Sequence, residues 1–283
     1  MASQRERNDR RGRPAPRSDS RGGPPRGRPA PAPEGAEWLW GWHAVEAAVL
    51  NPGRELRRLL TTPERARAVE AVLRRRPGAP PALRVEEEEP GALGRSLPPG
   101  AVHGGVALLA SELEDPGLEA LLAPAAGVLL VLDQVTDPQN VGALLRSAAA
   151  FGARGVVLQD RHSPALSGAL AKAAAGAVER TPVARVVNLS RALERVAEAG
   201  WRTVGLAGGA GPTLADTLDG GPTALVLGSE GEGLRRLVAE HCDTLASITM
   251  PGGLESLNVS AAGAVALYEA TRPRTALPSG EPG

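Results

Sequence analysis

Two glycine-bearing loops put polar side chains where chemistry is possible. The first, Gly228-Ser229-Glu230-Gly231-Glu232-Gly233, follows the apolar run Ala224 to Leu227 and precedes a helical pattern. The second follows another apolar run through Ile248. It has the turn Gly252-Gly253, and then Ser256-Leu257-Asn258-Val259-Ser260 opens a small-residue helix. A repeated strand, loop and helix places both loops beyond the carboxyl ends of strands, where open α/β sheets bind ligands. Glycines let the backbone approach a bound group closely. A phosphate cradle needs a Lys and a Ser or Thr after its glycines, whereas this loop offers Glu230 and Glu232. Carboxylates repel phosphate and suit a cation or hydroxyl groups. The G-x-x-G-x-G spacing also differs from the dinucleotide fingerprint. Alone, the first loop reads equally well as a plain turn with a helix cap. Followed by a second strand and Ser256 to Ser260, it reads as half of a site.

The two loops resemble motifs two and three of the SpoU/TrmH branch of the SPOUT RNA 2′-O-methyltransferases. Motif one of that branch is a strand followed by D-x-V-x-D-P-x-N-x-G and an Arg. It is matched upstream by the run Leu129 to Leu132 and then Asp133, Val135, Asp137-Pro138, Asn140, Gly142 and Arg146. The resemblance covers roughly Gly127 to Arg272. It extends more weakly to the preceding region, which is similar to the RNA-binding half of the RlmB-type 23S rRNA enzymes. It implies methyl transfer from S-adenosylmethionine to the ribose 2′-oxygen of a guanosine in 23S rRNA. In that chemistry the sulfonium is the activated donor, and the enzyme supplies orientation and electrostatics.

The resemblance also implies roles for individual residues. Arg146 engages the target hydroxyl; a guanidinium stays protonated and is a poor general base, so stabilisation of the developing alkoxide suits it better. Asn140 holds Arg146 or the target nucleotide, Glu230 orients Arg146 or the ribose, and Ser256 and Asn258 shape the site. Gly228, Gly233, Ile248, Met250 and Leu257 fall on cofactor-lining positions. The implied fold is a mostly parallel sheet tied in a trefoil knot, in a homodimer whose sites are completed near the subunit interface. Three positions depart from the family pattern: Gly104 stands where a Gln is usual, Thr249 where a Pro is usual and Ala175 where a Ser is usual.

The elements that must position these residues follow from periodicity. From Gly127 onward strands and helices alternate, which predicts a mostly parallel sheet covered on both faces. Val128 to Leu132 is a strand, and Asn140 reads as the N-cap of a helix from Val141 to Phe151. Arg146, six residues on, is expected to return roughly to the Asn140 side of that helix. Before Gly127 lies a smaller α/β unit over residues 37–109, joined by a linker over 110–124 and followed by a catalytic domain over 125–272. In the smaller unit Arg57 and Arg58 on a strand, with His103 in the His103-Gly104-Gly105-Val106 turn, are the RNA-binding candidates. Trp38, Trp40 and Trp42 read as core rather than as a base-stacking platform.

Composition bounds the rest. Formal net charge is zero, so overall charge makes no case for nucleic acid. Residues 1–36 are rich in Arg, Pro and Gly without apolar periodicity and are expected to be disordered; residues 273–283 read as a loose tail. Lys172 is the single lysine, so Arg is the default cation of this chain. Cys242 is the single cysteine and the four histidines are scattered, which predicts neither a disulfide nor a metal site. No secretory or membrane-spanning run is evident, so the expected setting is the cytoplasm, without a membrane or metal partner. Other readings stand beside the first: a tRNA enzyme or an rRNA-methylating resistance enzyme of the same family, a non-catalytic ribosome-assembly protein, and a nucleotide-dependent oxidoreductase.

Overall fold

The computed structural model describes residues 32–78, 83–166, 168–209, 211–253 and 256–272. Most of the Arg-rich N-terminal stretch (1–31) and the C-terminal tail (273–283) lie outside the described residues. The chain runs β1 (Ala36–Trp40), α1 (Trp42–Leu50), β2 (Leu56–Thr61), α2 (Pro63–Arg75), β3 (Arg84–Glu87), α3 (Pro90–Arg95), β4 (Val106–Ser111), α4 (Gly117–Leu122), β5 (Val128–Leu132) and α5 (Pro138–Ala150). It continues through β6 (Gly155–Gln159), α6 (Gly168–Ala173), a 3-10 turn (Ala177–Glu179), β7 (Val183–Val186), α7 (Leu189–Glu198), β8 (Arg202–Leu206) and α8 (Leu214–Thr217). It ends with β9 (Thr223–Leu227), α9 (Arg236–Glu240), β10 (Thr244–Ala246) and α10 (Val259–Thr271).

Two sheets result. The first has the order β1-β4-β2-β3, with β4 antiparallel to β1 and β2, and β3 parallel to β2. The second has the order β10-β8-β9-β5-β6-β7, and every pairing in it is parallel. Parallel strands buried on both faces need near-continuous apolar runs. β5 shows why: Val128, Leu130 and Leu132 enter one core, while Leu129 and Val131 enter the other. α5 and α10 cover the first face through Leu144, Leu145, Ala266 and Leu267. α4, α7 and α9 cover the second through Leu118, Leu193, Val196 and Val238.

The first core runs without a break into the smaller unit, where Leu39, Leu59 and Leu108 belong to the same cluster. The two units are therefore packed together. Arg54 sits at their junction, 1 % exposed, with Nη1 2.9 Å from Glu37 and Nη2 2.9 Å from Glu179. Asn51 Nδ2 donates to the same Glu179 at 2.7 Å. The stretch read as a linker also differs from expectation. Its residues 117–122 form α4, whose Leu118, Leu121 and Leu122 are buried against the parallel sheet. Only a few residues on either side of that helix join the units. Trp40 is buried and Trp38 packs beside it, while Trp42 carries Arg65 over its ring at 5.5 Å.

Candidate active site

The first loop is shaped by its glycines. Ser229 and Gly233 exchange two backbone hydrogen bonds, with Ser229 N donating to Gly233 O at 3.1 Å and Gly233 N to Ser229 O at 3.0 Å. The turn so closed leaves no room for a side chain at Gly228, where a Cβ would lie 2.0 Å from the carbonyl carbon of Gly233. Gly231 and Gly233 have φ of 88° and 70°, a region L side chains rarely enter. Beyond the turn, the loop is anchored by a fully buried carboxylate. Asp133, at the end of β5, accepts from Arg235 N at 2.9 Å and from Arg235 Nε at 2.7 Å. Sequence reasoning passed over Asp133 as a mere motif position; a polar residue closing a wholly apolar strand was the available signal.

The tip of this loop meets the starts of two helices. Asn140 Nδ2 donates to Glu230 Oε1 at 3.2 Å, and Asn258 Nδ2 donates to Asn140 Oδ1 at 3.1 Å. Asn258 Nδ2 also donates to Glu230 Oε1, so the three side chains close a ring of contacts. Asn258 does this while capping α10, its Oδ1 accepting from Ser260 N at 2.9 Å. Close helix packing brings the groups together: a Cβ on Gly263 of α10 would lie 2.2 Å from Leu144 of α5.

Two expectations are corrected here. Asn140 is not the cap of its helix. α5 begins at Pro138, and Asp137 caps it by accepting from Gln139 N at 3.0 Å. Asn140 therefore lies inside the first turn, its amide left for Glu230 and Asn258. Nor does Arg146 return to the Asn140 side. Six residues advance a helix by about 600°, which leaves Arg146 roughly 120° round the helix and roughly 9 Å along it. The structure places it exposed in a second cavity, beside Ala150, Gly176 and Arg180, and among the described residues it has no side-chain hydrogen bond or ion pair with Glu230 or Asn140. Glu230 does not orient Arg146 within one chain.

Behind the triad opens a cavity of about 650 Å³, a volume usual for a cofactor or drug-sized ligand. Its walls include Gly228, Gly233, Ile248, Met250 and Leu257, together with Glu230, Ser256 and Asn258. Every cofactor position expected from the sequence is thus brought to one place. The sequence reading missed Leu206, Ala207, Leu245 and Ala262, which complete the apolar side; the order β10-β8-β9 brings the first three there, and Ala262 lies one turn into α10. Among the described residues the lining contains Glu230 and Glu232 and no Arg, Lys or His. Such a wall repels a phosphate-bearing ligand and favours one carrying positive charge.

The RNA-binding candidates of the smaller unit are engaged elsewhere. Arg58 donates to Glu86 from Nε at 3.0 Å and from Nη2 at 2.6 Å, and Arg57 lies 3.4 Å from Glu55. His103 Nδ1 accepts from Gly105 N at 3.2 Å and so braces its own turn. Among the described residues no group of His, Cys, Asp and Glu is placed to hold a metal ion, and no helix is long and apolar enough to cross a membrane. The Cys242 thiol is pushed up to about 12 by burial, with Asp243 and Asp133 adding to it; this is the opposite of an activated nucleophile.

A parallel α/β domain with a deep ligand cavity beyond its strand ends, closed by a ring of polar side chains at its mouth, defines a cofactor-binding α/β protein. Residues 127–268 match the SpoU rRNA Methylase family, and the chain belongs to that family. Among its relatives is a 23S rRNA (guanosine-2′-O-)-methyltransferase RlmB of Photorhabdus laumondii, 46 % identical over 180 residues that cover 62 % of this chain and 74 % of the relative. Another RlmB, from Xylella fastidiosa strain Temecula1, is 39 % identical over 246 residues, covering 84 % of this chain and 97 % of the relative. The fold is similar to that of the SpoU methyltransferase AviRb from Streptomyces viridochromogenes solved with AdoMet. That likeness has a TM-score of 0.71 at 24 % identity over 84 % of this chain and 89 % of that one.

Proposed function

We propose that this chain transfers a methyl group from S-adenosylmethionine to the ribose 2′-oxygen of a guanosine in 23S rRNA. One observation carries the reading: Glu230 and Asn258 of the Asn140–Glu230–Asn258 ring line a cavity whose described walls hold carboxylates and no cations. That wall suits a sulfonium and an amino group, and its apolar side suits an adenine. The residues present therefore fit S-adenosylmethionine: Ile248, Met250 and Leu257 would hold the base, and the Gly228 to Gly233 backbone would offer it hydrogen bonds. When bound, S-adenosylmethionine supplies a methyl group already activated for transfer. RlmB relatives that align over most of their length support 23S rRNA as the substrate.

The remaining chemistry belongs to the chain's own side chains. Glu230 Oε1 is taken by two amides, leaving Oε2 to accept from a ribose hydroxyl. The amides of Asn140 and Asn258 hold that carboxylate still, so its orientation is fixed before substrate arrives. Arg146, exposed in the second cavity, is the residue that the family resemblance assigns to the ribose, where its guanidinium would stabilise the alkoxide as it develops. The chain acts as a homodimer in the cytoplasm, with exposed Val265 and Tyr268 of α10 covered by the second copy, and its catalytic domain follows the trefoil-knotted path that the family resemblance implies.

The test is mass-spectrometric mapping of ribose methylation after incubation with S-adenosylmethionine and unmodified 23S rRNA or unmodified tRNA. One new 2′-O-methylguanosine in the rRNA is expected. A mark on tRNA alone would move the substrate, and a mark on neither would reject catalysis.

A further inference from the structure

We infer that the cleft between the two units, bounded by Arg75, Arg146 and Arg180, is a seat for the phosphate backbone of single-stranded RNA. The inference rests on the RNA-substrate reading above and adds a location for the strand. The cleft has a volume of about 510 Å³ and is bounded by His43, Glu46, Arg75, Arg146, Gly176 and Arg180. It draws on α1 and α2 of the smaller unit, and on α5 and the segment around the 3-10 turn of the larger one. Three guanidinia face one carboxylate there, and that carboxylate, Glu46, is already 3.2 Å from Arg75.

The charge of the cleft follows from how neighbouring acids are used. Glu179 and Arg180 are consecutive, yet they point to different surroundings. Glu179 is turned inward, 2 % exposed, where Arg54 and Asn51 hold it. Its charge is therefore spent in the junction, and Arg180 remains exposed with no side-chain hydrogen bond or ion pair to the described residues. Gly176 lets the two units approach: its φ is 80°, and a Cβ there would lie 2.4 Å from Ala47 and 2.7 Å from the carbonyl oxygen of His43.

The opposite edge of the smaller unit has the reverse character. Beside Arg57 and Arg58 on β2 runs β3 with Glu86 and Glu87, followed by Glu88 and Glu89, and Arg58 is held by Glu86. A phosphate backbone meets repulsion along that edge and attraction in the cleft. Arg146 shares α5 with Asn140, roughly 9 Å along the axis and roughly 120° round it. A strand seated in the cleft must therefore also turn about that helix to bring a ribose to Glu230. An unpaired strand suits that path, because its backbone can turn about the helix and splay out one nucleotide, as a duplex cannot.

The experiment is fluorescence-anisotropy titration of a single-stranded RNA oligonucleotide against the full chain over a range of salt concentrations. Wild type is compared with Arg180→Ala, Arg75→Ala and Arg58→Ala. Arg180→Ala should weaken binding about tenfold at low salt and reduce the salt slope by about 0.7, whatever the sequence; Arg75→Ala, which also frees Glu46, should weaken binding by less. Arg58→Ala should leave binding and slope unchanged. Arg180 is exposed, so its loss leaves the fold intact, and thermal melts confirm this for each variant. Arg75→Ala and Arg180→Ala binding like wild type would overturn the assignment, as would a loss confined to Arg58→Ala. Inorganic phosphate at matched ionic strength should not displace the RNA; displacement would mark a small-anion site and overturn the strand. Wild type that binds RNA through the cleft but makes no methylated product would remove the proposed reaction and leave the cleft standing.

Discussion

The two cavities of this molecule carry opposite charge. Among the described residues, the one beside Glu230 and Asn258 is walled by glycine backbone, apolar and small polar side chains and two glutamates, with no cationic side chain. The cleft around Arg146 is walled by three arginines and one already paired glutamate. Charge complementarity sorts ligands at short range. The first wall suits a cationic, adenosine-sized ligand and the second suits a phosphate backbone. A transfer between a sulfonium cofactor and an RNA strand needs both, side by side, without either ligand entering the other's site.

The largest expected break in this comparison is Arg146→Ala. If Arg146 acts on the developing alkoxide, methyl transfer should fall by about 10² to 10³ in single-turnover assays, while calorimetry finds S-adenosylmethionine binding unchanged. Near-normal turnover would show that the basic cleft is separate from the chemistry. Gly228→Ala attacks the other cavity. Its methyl would press on the backbone of Gly233, so the loop must shift at a cost of about 1–3 kcal/mol. A lower Tm and weaker cofactor binding are expected together.

A smaller effect concerns the junction beside the cleft. Burial pushes the Glu37 carboxyl up from an ordinary 4.5 to about 7, against the opposing pull of Arg54. One guanidinium serves two carboxylates there. Between about pH 4.5 and 7 the folded state holds more protons at Glu37 than the unfolded state does, so stability falls as pH rises through that window. Glu37→Gln should flatten that fall and leave the variant more stable than wild type above pH 7, by about 1–2 kcal/mol in denaturant melts. A variant less stable at pH 8 would show that the ion pair outweighs its desolvation. The smallest effect is expected for Arg58→Ala, whose RNA KM should change less than about twofold, because the guanidinium is committed to Glu86.

What the sequence disclosed about these regions follows a physical division. Gly228, Gly233, Ile248, Met250 and Leu257 were legible because their motifs are local, and a parallel α/β fold sends local loops to one edge of the sheet. The all-parallel sheet was legible for the same reason, since β5 and β9 are continuous apolar runs. Asn140 was misread as a cap because Asp137-Pro138, three residues earlier, is an equally good helix start, and local pattern does not choose between them. Arg146 was misplaced by treating six residues as nearly two turns; the 120° difference carries it into the other cavity. Arg58 looked available because its partner is set by strand pairing: Glu86 is 28 residues away. Glu179 meets Arg54 across 125 residues, which no spacing rule reveals. Contacts of that kind set the charge of the cleft, so it became visible only in three dimensions. Residues 117–122 read as linker because Asp115-Pro116-Gly117 is a strong turn signal, yet a turn is also how α4 begins.

The most direct measurement is a pair of calorimetric titrations of the wild-type chain, one with S-adenosylmethionine and one with NAD. The account predicts saturable binding of S-adenosylmethionine, one per chain, and no heat with NAD, because the pyrophosphate meets two glutamates and no cationic side chain among the described residues of the cavity wall. Binding of NAD, or no binding of S-adenosylmethionine, would contradict it.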